Sequence, residues 1–159
     1  MKKIKITFVC LGNICRSPLA EAIFKNMTVQ ASLSHIFQIY SSGTAGYHIG
    51  GKADPRTIQV AAKNGLDISL HKGNQFTCDP KNPFHYVLAM DRKNLRDLRP
   101  QIDPVLTKLD LLLNYSIKYY GQDTPDPYYG GLNGFDNVFE MIHEGCTGLL
   151  QFIRHEHNL

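Results

Sequence analysis

The sequence lacks any long apolar run that would place the protein in a membrane or direct it to export. No stretch approaches the ~20 apolar residues of a membrane span, and Met1-Lys2-Lys3-Ile4 leads straight into a strand-like pattern without a signal peptide. We therefore expect a cytoplasmic protein that does not insert into membranes. Cysteines are kept reduced in that compartment, so free thiols are the better interpretation of the cysteines at positions 10, 15, 78 and 146.

The sequence is also without a block of lysine and arginine or a basic stripe interleaved with aromatic residues. Its 17 basic and 14 acidic residues leave a formal charge of +3, which is too small to indicate a nucleic-acid partner and is compatible with an anionic substrate. Internal repeats, linkers and low-complexity tracts are absent as well. We expect one domain over residues 1–159, and the sequence leaves the oligomeric state open.

Strand-like and helix-like patterns alternate along the chain. Strands are predicted at residues 4–9, 37–41, 86–90 and 109–113, and helices at residues 18–28, from 55 to 64, after Asp91 and from 135 to 153. This alternation is typical of an α/β fold, a three-layer sandwich in which a parallel sheet carries helices on both faces. Ligands of such sheets bind beyond the carboxyl ends of the strands.

The most informative stretch follows the first strand and reads Cys-Leu-Gly-Asn-Ile-Cys-Arg-Ser-Pro at residues 10–18. Glycine and asparagine readily adopt left-handed backbone angles, and Ser17 with Pro18 has the pattern of a helix cap followed by the first helical residue. A strand, a tight loop and a helix N-terminus form a cradle whose N–H groups bind anions. The Gly-Lys-Ser/Thr of a nucleotide-binding P-loop is absent.

Two side chains in this cradle indicate covalent chemistry on phosphate. Cys10 is a candidate nucleophile, because a helix N-terminus and a nearby arginine favour the reactive thiolate; a buried structural thiol is the alternative. Arg16 carries a planar fork that matches two phosphate oxygens, the alternative being an exposed charge at the helix entrance. Ser17 could stabilise the departing thiolate besides capping the helix.

Hydrolysis of a phosphate ester also needs a group that protonates the leaving oxygen and then activates water. The candidates lie in Asp-Thr-Pro-Asp-Pro-Tyr-Tyr-Gly-Gly at residues 123–131. Asp126 is favoured because two prolines brace it, although Asp-Pro is also a common turn dipeptide. The adjacent Tyr128 and Tyr129 could form a wall against an aromatic substrate.

Together the stretch at 9–18 and Asp-Pro-Tyr-Tyr-Gly at 126–130 closely resemble the low-molecular-weight protein tyrosine phosphatases, over essentially the whole chain. The resemblance implies a four-stranded parallel sheet of order 2-1-3-4, and hydrolysis of protein phosphotyrosine and small aryl phosphates through a phosphocysteine, without cofactor or metal. It implies that Cys10 is the nucleophile, Arg16 the ligand of the phosphate and transition state, and Asp126 the general acid and then base. Phosphotyrosine-containing proteins are the expected partners.

The resemblance also assigns residues that bind the phosphate or support its loop. This set is Leu11, Gly12, Asn13, Ile14, Cys15, Ser17, Ser41 and His71, with Asn13 holding the loop through Ser41 and His71. One departure from the pattern stands out, because many bacterial-type members read His-x-Ala-Arg-Gln where this chain has His71-Lys72-Gly73-Asn74-Gln75. Any support that the arginine gives elsewhere is therefore in doubt here.

The same resemblance implies a substrate cleft in which Tyr47 and His48 face Tyr128 and Tyr129.

Cys15 has two interpretations. The resemblance implies a backing thiol that forms a reversible disulfide with the nucleophile and so prevents over-oxidation. Otherwise Cys15 is only a small buried residue beneath the loop.

Three other functions stay open. An arsenate reductase of this group would need additional shuttle cysteines in the middle of the chain, where only Cys78 lies. Protein arginine phosphatases tend to carry threonine where this chain has Ile14. A non-catalytic phosphate-binding module would need neither a thiol nor a proton donor.

Overall fold

A parallel β-sheet lies at the centre of the structure, a computed structural model that describes residues 2–130 and 134–159. Its strands are β1 (Ile4–Cys10), β2 (Phe37–Gly43), β3 (Tyr86–Ala89) and β4 (Lys108–Leu111), and its helices are α1 (Arg16–Gln30), α2 (Pro55–Lys63), α3 (Arg92–Leu98) and α4 (Gly134–Glu156). Within the described residues the strands are hydrogen-bonded in the order β2-β1-β3-β4, and each of these pairings is parallel. The predicted fold and strand order are confirmed.

Alternation along β1 separates two apolar layers. Ile6, Phe8 and Cys10 join the core with residues of α1 and α4, whereas Val9 packs in a second cluster with Leu98 of α3. Helices therefore cover both faces of the sheet. This is why β1 is buried at almost every position rather than at every second one.

The helical spacing predicted near the C-terminus is confirmed. Helix α4 has 23 residues, and an apolar stripe is buried along its length: Phe135, Val138, Ile142, Cys146, Leu149 and Ile153. Burying one large apolar side chain contributes about 1.5–3 kcal/mol, so this stripe is a main source of core stability. In the part of the chain that the structure describes, no helix is both long and apolar enough to cross a membrane.

The predicted start of the first helix is wrong. Helix α1 begins at Arg16, so Ser17 occupies its second position and Pro18 its third. Proline is tolerated there because the first N–H groups of a helix have no partner within the helix. The cap position falls on Cys15, which makes no side-chain capping bond. The Ser17 hydroxyl faces the nucleophile candidate Cys10 instead.

Aspartates cap the N-termini of α2 and α3. The Asp54 side chain accepts a hydrogen bond from the backbone N–H two residues later at 2.8 Å, and Asp91 forms a reciprocal capping box with Asn94. The end of the last strand differs from the prediction. Strand β4 stops at Leu111, and residues 112–115 form a 3-10 turn, because a short apolar run has the same pattern in a strand and in a buried turn.

Candidate active site

The loop after β1 lies at the edge of the sheet where the parallel strands end. Cys10 is in register with the last residue of β2, and the N–H of Thr44 donates to the Cys10 carbonyl at 2.9 Å. Asn13 has a left-handed φ of +56°, the backbone conformation predicted for a tight turn at this position. The start of the loop is thus tied to the neighbouring strand before it turns back into α1.

The Ser17 hydroxyl lies 3.0 Å from the sulfur of Cys10. Asn13 Nδ2 donates to the same hydroxyl oxygen at 2.7 Å, so the Ser17 proton must point elsewhere. Its acceptors are the Cys10 sulfur and the carbonyl of Ser42, which is 3.2 Å away. All four residues are buried. A hydroxyl held in this way can donate to a thiolate, and it is unavailable to cap the helix.

Asn13 is the centre of the hydrogen bonds that hold the loop. Its Nδ2 donates to Ser41 Oγ at 3.1 Å, and His71 Nε2 lies 2.8 Å from its backbone carbonyl. The structure thus brings together the three residues that the family resemblance groups. Asn13 Oδ1 in turn accepts from the backbone N–H and the side-chain amide of Asn74, at 2.9 and 3.2 Å.

Asn74 stands where the family pattern has arginine, and it makes supporting bonds of its own. Its side-chain amide donates to the Ser41 carbonyl at 2.8 Å as well as to Asn13. Glu21 accepts from Ser41 Oγ at 2.6 Å and so turns the lone pairs of that hydroxyl towards Asn13. Sequence reasoning missed both residues. The one available signal was the asparagine at position 74, where the family pattern has arginine.

Arg16 is almost completely buried, with 2% of its surface exposed. Its Nη1 donates to Asp91 Oδ2 at 2.7 Å and to the Thr124 carbonyl at 2.9 Å. Burial disfavours the charge, but Cys10 and the nearby carboxylates outweigh burial and raise the pKa of the guanidinium above its ordinary value. Within the described residues Nη1 is held by two acceptors and Nη2 contacts Asp126 Oδ2 at 3.5 Å. Nε and the second N–H of Nη2 are therefore the donors left for an anion.

Asp126 begins the 3-10 turn Pro127–Tyr129, and its Oδ1 accepts from the N–H of Tyr128 at 3.0 Å. Its Oδ2 lies 3.5 Å from Arg16 Nη2, and its side chain is 28% exposed. Asp123, the other carboxylate of this stretch, pairs at 2.7 Å with an exposed arginine of α3. Of these two carboxylates, only Asp126 lines the cavity that contains Cys10.

This cavity has a volume of about 140 Å³. The described residues that line it are Cys10, Leu11, Gly12, Ile14, Cys15, Arg16, Tyr47, His48, Asp126 and Tyr128. Two thiols, a guanidinium, a carboxylate, an imidazole and two phenol rings therefore border one space. The side chain of Tyr129, which was also predicted to line the cleft, lies outside the described residues.

The supporting residues Ser41, His71 and Asn74 lie behind the loop. They border a different and larger cavity of about 500 Å³ together with Glu21. Within residues 2–130 and 134–159, no group of three or more His, Cys, Asp or Glu side chains is arranged to hold a metal ion.

Arg56 connects the loop after β1 to the aromatic side of the cavity. The N–H of Asp54 donates to the Ile14 carbonyl at 2.8 Å, and the Asp54 carboxylate pairs with Arg56 Nη2 at 2.9 Å. The guanidinium lies over the rings of Tyr128 and Phe135, at 5.4 and 4.7 Å from their centroids, where the π faces attract a cation. Sequence reasoning missed Arg56, since its contacts join segments far apart in the chain.

Cys15 lies beneath the loop and is 5% exposed. Burial raises the pKa of its thiol to about 12, and the charge of Asp54 adds to this effect. Cys10 and Cys15 border the same cavity, and all four cysteines are present as free thiols. Cys146 is fully buried on α4, and Cys78 is partly buried against the second apolar cluster.

Fold and site together define a class of protein: an α/β sandwich whose first strand ends in a tight loop that carries a thiol and an arginine and faces a carboxylate. The family described as low molecular weight phosphotyrosine protein phosphatase matches this sequence over residues 5–159. The chain belongs to that family.

The similarity extends to individual relatives along nearly their whole length. A low molecular weight protein-tyrosine-phosphatase of Streptomyces coelicolor is 41% identical over 157 residues, covering 96% of this chain and 94% of that protein. The solved structure of a protein tyrosine phosphatase from Entamoeba histolytica superposes with a TM-score of 0.89 at 32% identity, covering 98% and 99% of the two chains. A Drosophila arginine phosphatase superposes with a TM-score of 0.83 at 31% identity, covering 97% and 98%.

Proposed function

We propose that the protein hydrolyses phosphotyrosine in cytoplasmic protein substrates, and small aryl phosphates, through a phosphocysteine intermediate on Cys10. The observation that carries the proposal is the shared cavity bordered by the Cys10 thiol, the Arg16 guanidinium and the Asp126 carboxylate. A module that only binds phosphate would use the loop and the arginine, and it would need neither the thiol nor the carboxylate. Family membership supports the same conclusion.

In the first step the Cys10 thiolate attacks phosphorus, and the bond between phosphorus and the tyrosine oxygen breaks. Asp126 acts as an acid and gives its proton to the leaving oxygen. Arg16 and the loop N–H groups stabilise the charge on the oxygens of the transferring phosphoryl group. The two acceptors on Nη1 hold Arg16 before substrate arrives, so little reorganisation is needed.

In the second step water attacks the phosphocysteine, and the Asp126 carboxylate takes the proton of that water. The bond between phosphorus and sulfur breaks, and inorganic phosphate forms. The sulfur leaves as a thiolate, which accepts a hydrogen bond from the Ser17 hydroxyl 3.0 Å away. The 28% exposure of the Asp126 side chain suits its repeated exchange of protons with water.

The walls of the cavity favour an aromatic ring over a guanidinium. Ile14 contributes an apolar side chain, and Tyr47 and Tyr128 contribute rings. A tyrosine ring is satisfied by apolar and edge-to-face contacts, whereas a phosphoarginine carries N–H groups that require acceptors. Phosphoarginine is the second candidate substrate because a Drosophila arginine phosphatase is among the structural relatives.

Turnover of p-nitrophenyl phosphate by wild type, Cys10→Ser and Asp126→Ala tests the proposal. Cys10→Ser should abolish turnover, and Asp126→Ala should slow it by about 10²–10⁴-fold, most strongly with poor leaving groups. Asp123→Ala is the matched control and should remain near wild type. Full activity in Cys10→Ser would exclude the phosphocysteine. A leaving-group dependence in Asp123→Ala would move the acid to that residue.

Peptides that carry phosphotyrosine or phosphoarginine separate the two candidate substrates. We expect wild type to prefer phosphotyrosine, and Ile14→Thr to shift the ratio of kcat/KM towards phosphoarginine. A wild-type preference for phosphoarginine would reverse the assignment.

We also propose that Cys15 protects the nucleophile from terminal oxidation. Peroxide converts the Cys10 thiolate to a sulfenic acid, and the Cys15 sulfur then displaces its hydroxyl as water to form a disulfide. The shared cavity of the two thiols supports this step. Peptide mapping after peroxide treatment should find the Cys10–Cys15 disulfide, and finding only sulfinic Cys10 would refute it.

A further inference from the structure

One short segment, residues 71–74, contacts both halves of the site. On one side His71 and Asn74 form hydrogen bonds with Asn13 of the loop at residues 10–17, here called the phosphate loop. On the other side Gly73 pairs with the loop that carries the cleft residues Tyr47 and His48: its N–H donates to the Gly51 carbonyl, and its carbonyl accepts from the N–H of Gly50, both at 2.8 Å.

Gly73 is in direct contact with the backbone of the cleft residue His48. A Cβ built on Gly73 would meet the His48 carbonyl oxygen at well under the 3.0 Å that real Cβ contacts essentially never show, and would lie 3.2 Å from the carbonyl carbon. Both atoms are backbone, so they can give way only if the loop moves. The φ of Gly73 is not in the left-handed region, so this position requires glycine for space and not for backbone freedom.

A shift of this loop would be transmitted to the cavity through the side chains at its tip. A Cβ built on Gly12 would lie 3.0 Å from His48 Cδ2, so the imidazole lies directly over the phosphate loop. Tyr47 and His48 border the cavity together with Tyr128. The distance between the loop that carries Tyr47 and His48 and Gly73 therefore determines the position of these two side chains in the cavity wall.

We propose that Gly73 is a positioning residue that sets the width of the substrate cleft, and hence how tightly a ring attached to the phosphate is held. Its neighbour Asn74 acts on the phosphate loop instead. Adjacent residues thus control two separable properties, the contact with the ring and the contact with the anion. That the ring belongs to tyrosine rests on the proposed function.

Calorimetric binding of two probes measures the two properties without any turnover. Inorganic phosphate reports on the phosphate loop alone, and benzylphosphonate, which is not hydrolysed, reports on the loop and the ring contact together. Gly73→Ala should leave the affinity for inorganic phosphate within about twofold and lower the affinity for benzylphosphonate about three- to tenfold, the range of a lost aromatic contact. Asn74→Ala should weaken both probes by the same factor.

Two further glycine variants supply a weaker perturbation and a control. In Gly51→Ala the added Cβ would lie 3.0 Å from the same His48 oxygen, so we expect a smaller loss of benzylphosphonate affinity in the same direction. Gly134→Ala adds a methyl at an ordinary 3.9 Å from the Cβ of Pro127 and should change neither affinity. Urea unfolding shows whether each variant is folded.

An equal loss of both probes in Gly73→Ala would overturn the inference, because the residue would then act through the phosphate loop. Unchanged affinities would overturn it too, because the clash would be absorbed away from the cleft. If Gly73→Ala does not fold, Gly51→Ala decides by the same comparison. A selective loss of benzylphosphonate in a protein whose wild type hydrolyses no aryl phosphate would refute the proposed function and leave the inference standing.

Discussion

Replacement of Asp91 by asparagine tests whether the Asp91 carboxylate holds Arg16 in the orientation that binds an anion. Asp91 Oδ2 accepts from Arg16 Nη1 at 2.7 Å, and the arginine and aspartate side chains are 3% and 21% exposed. The other carboxylate oxygen caps α3 by accepting from the Asn94 N–H at 2.8 Å. Asparagine is as good an N-cap as aspartate. Asp91→Asn therefore keeps the cap and removes the charge that faces the guanidinium.

The size of the effect follows from what Arg16 loses and what it keeps. A hydrogen bond to a charged group contributes about 1.5–3 kcal/mol. Breaking a buried ion pair costs ~3–5 kcal/mol when the remaining charge has no partner. The loss expected here is smaller, because the Thr124 carbonyl and Asp126 still contact the guanidinium. We expect kcat/KM for p-nitrophenyl phosphate to fall roughly 10- to 150-fold, with weaker binding of inorganic phosphate.

Two companion variants make the measurement specific. Asp91→Ala also removes the cap, so its free energy of unfolding in urea should be about 0.5–2 kcal/mol lower than that of Asp91→Asn. Asp123→Asn breaks an ion pair with the exposed Arg92 and should stay near wild type in both assays. A wild-type kcat/KM in Asp91→Asn would refute the reasoning, because Arg16 would then be held in place without the carboxylate.

Three further predictions concern other parts of the molecule. Iodoacetamide at neutral pH should alkylate Cys10 and leave Cys15 unmodified, as read by peptide mass mapping, because burial raises the pKa of Cys15 to about 12. The free energy of unfolding should fall as the pH drops below 6.5, because burial holds the pKa of His85 below that ordinary value and the unfolded chain then binds the proton more readily. Urea unfolding of His85→Gln on both sides of that pH should show a flatter decline. Gly148→Ala should lower the free energy of unfolding by about 1–3 kcal/mol or more, because the added Cβ would overlap the Tyr115 carbonyl oxygen.

Each of these predictions has a result that contradicts it. Alkylation of both thiols at equal rates would mean that Cys15 is accessible and ionised. An unchanged pH dependence in the His85→Gln variant would assign the acid sensitivity to other groups. Gly134→Ala is the control for Gly148→Ala, and equal stability of these two variants would mean that α4 can shift away from the clash.

Local patterns were sufficient to predict most of the architecture. The apolar runs and the stripe of α4 specify strands and helices because hydrophobic periodicity depends only on neighbouring residues. The left-handed turn at Asn13 and the thiol six residues before Arg16 are likewise properties of one short stretch. The predicted cap at Ser17 failed for a related reason. A capping pattern is local, and the Ser17 hydroxyl is instead held between Asn13 and Cys10 in a buried network.

Contacts between distant segments were decided only when the elements packed at the edge of the sheet. Asp91 and Asp126 reach Arg16 from 75 and 110 residues farther along the chain, and no local preference of either aspartate specifies that meeting. The contact of Gly73 with His48 and the bonds of Asn74 to Asn13 arise in the same way. The candidate residues of the loop can thus be recognised from the sequence alone. Their orientation towards an anion and a ring depends on which segments the parallel strands bring to their common carboxyl edge.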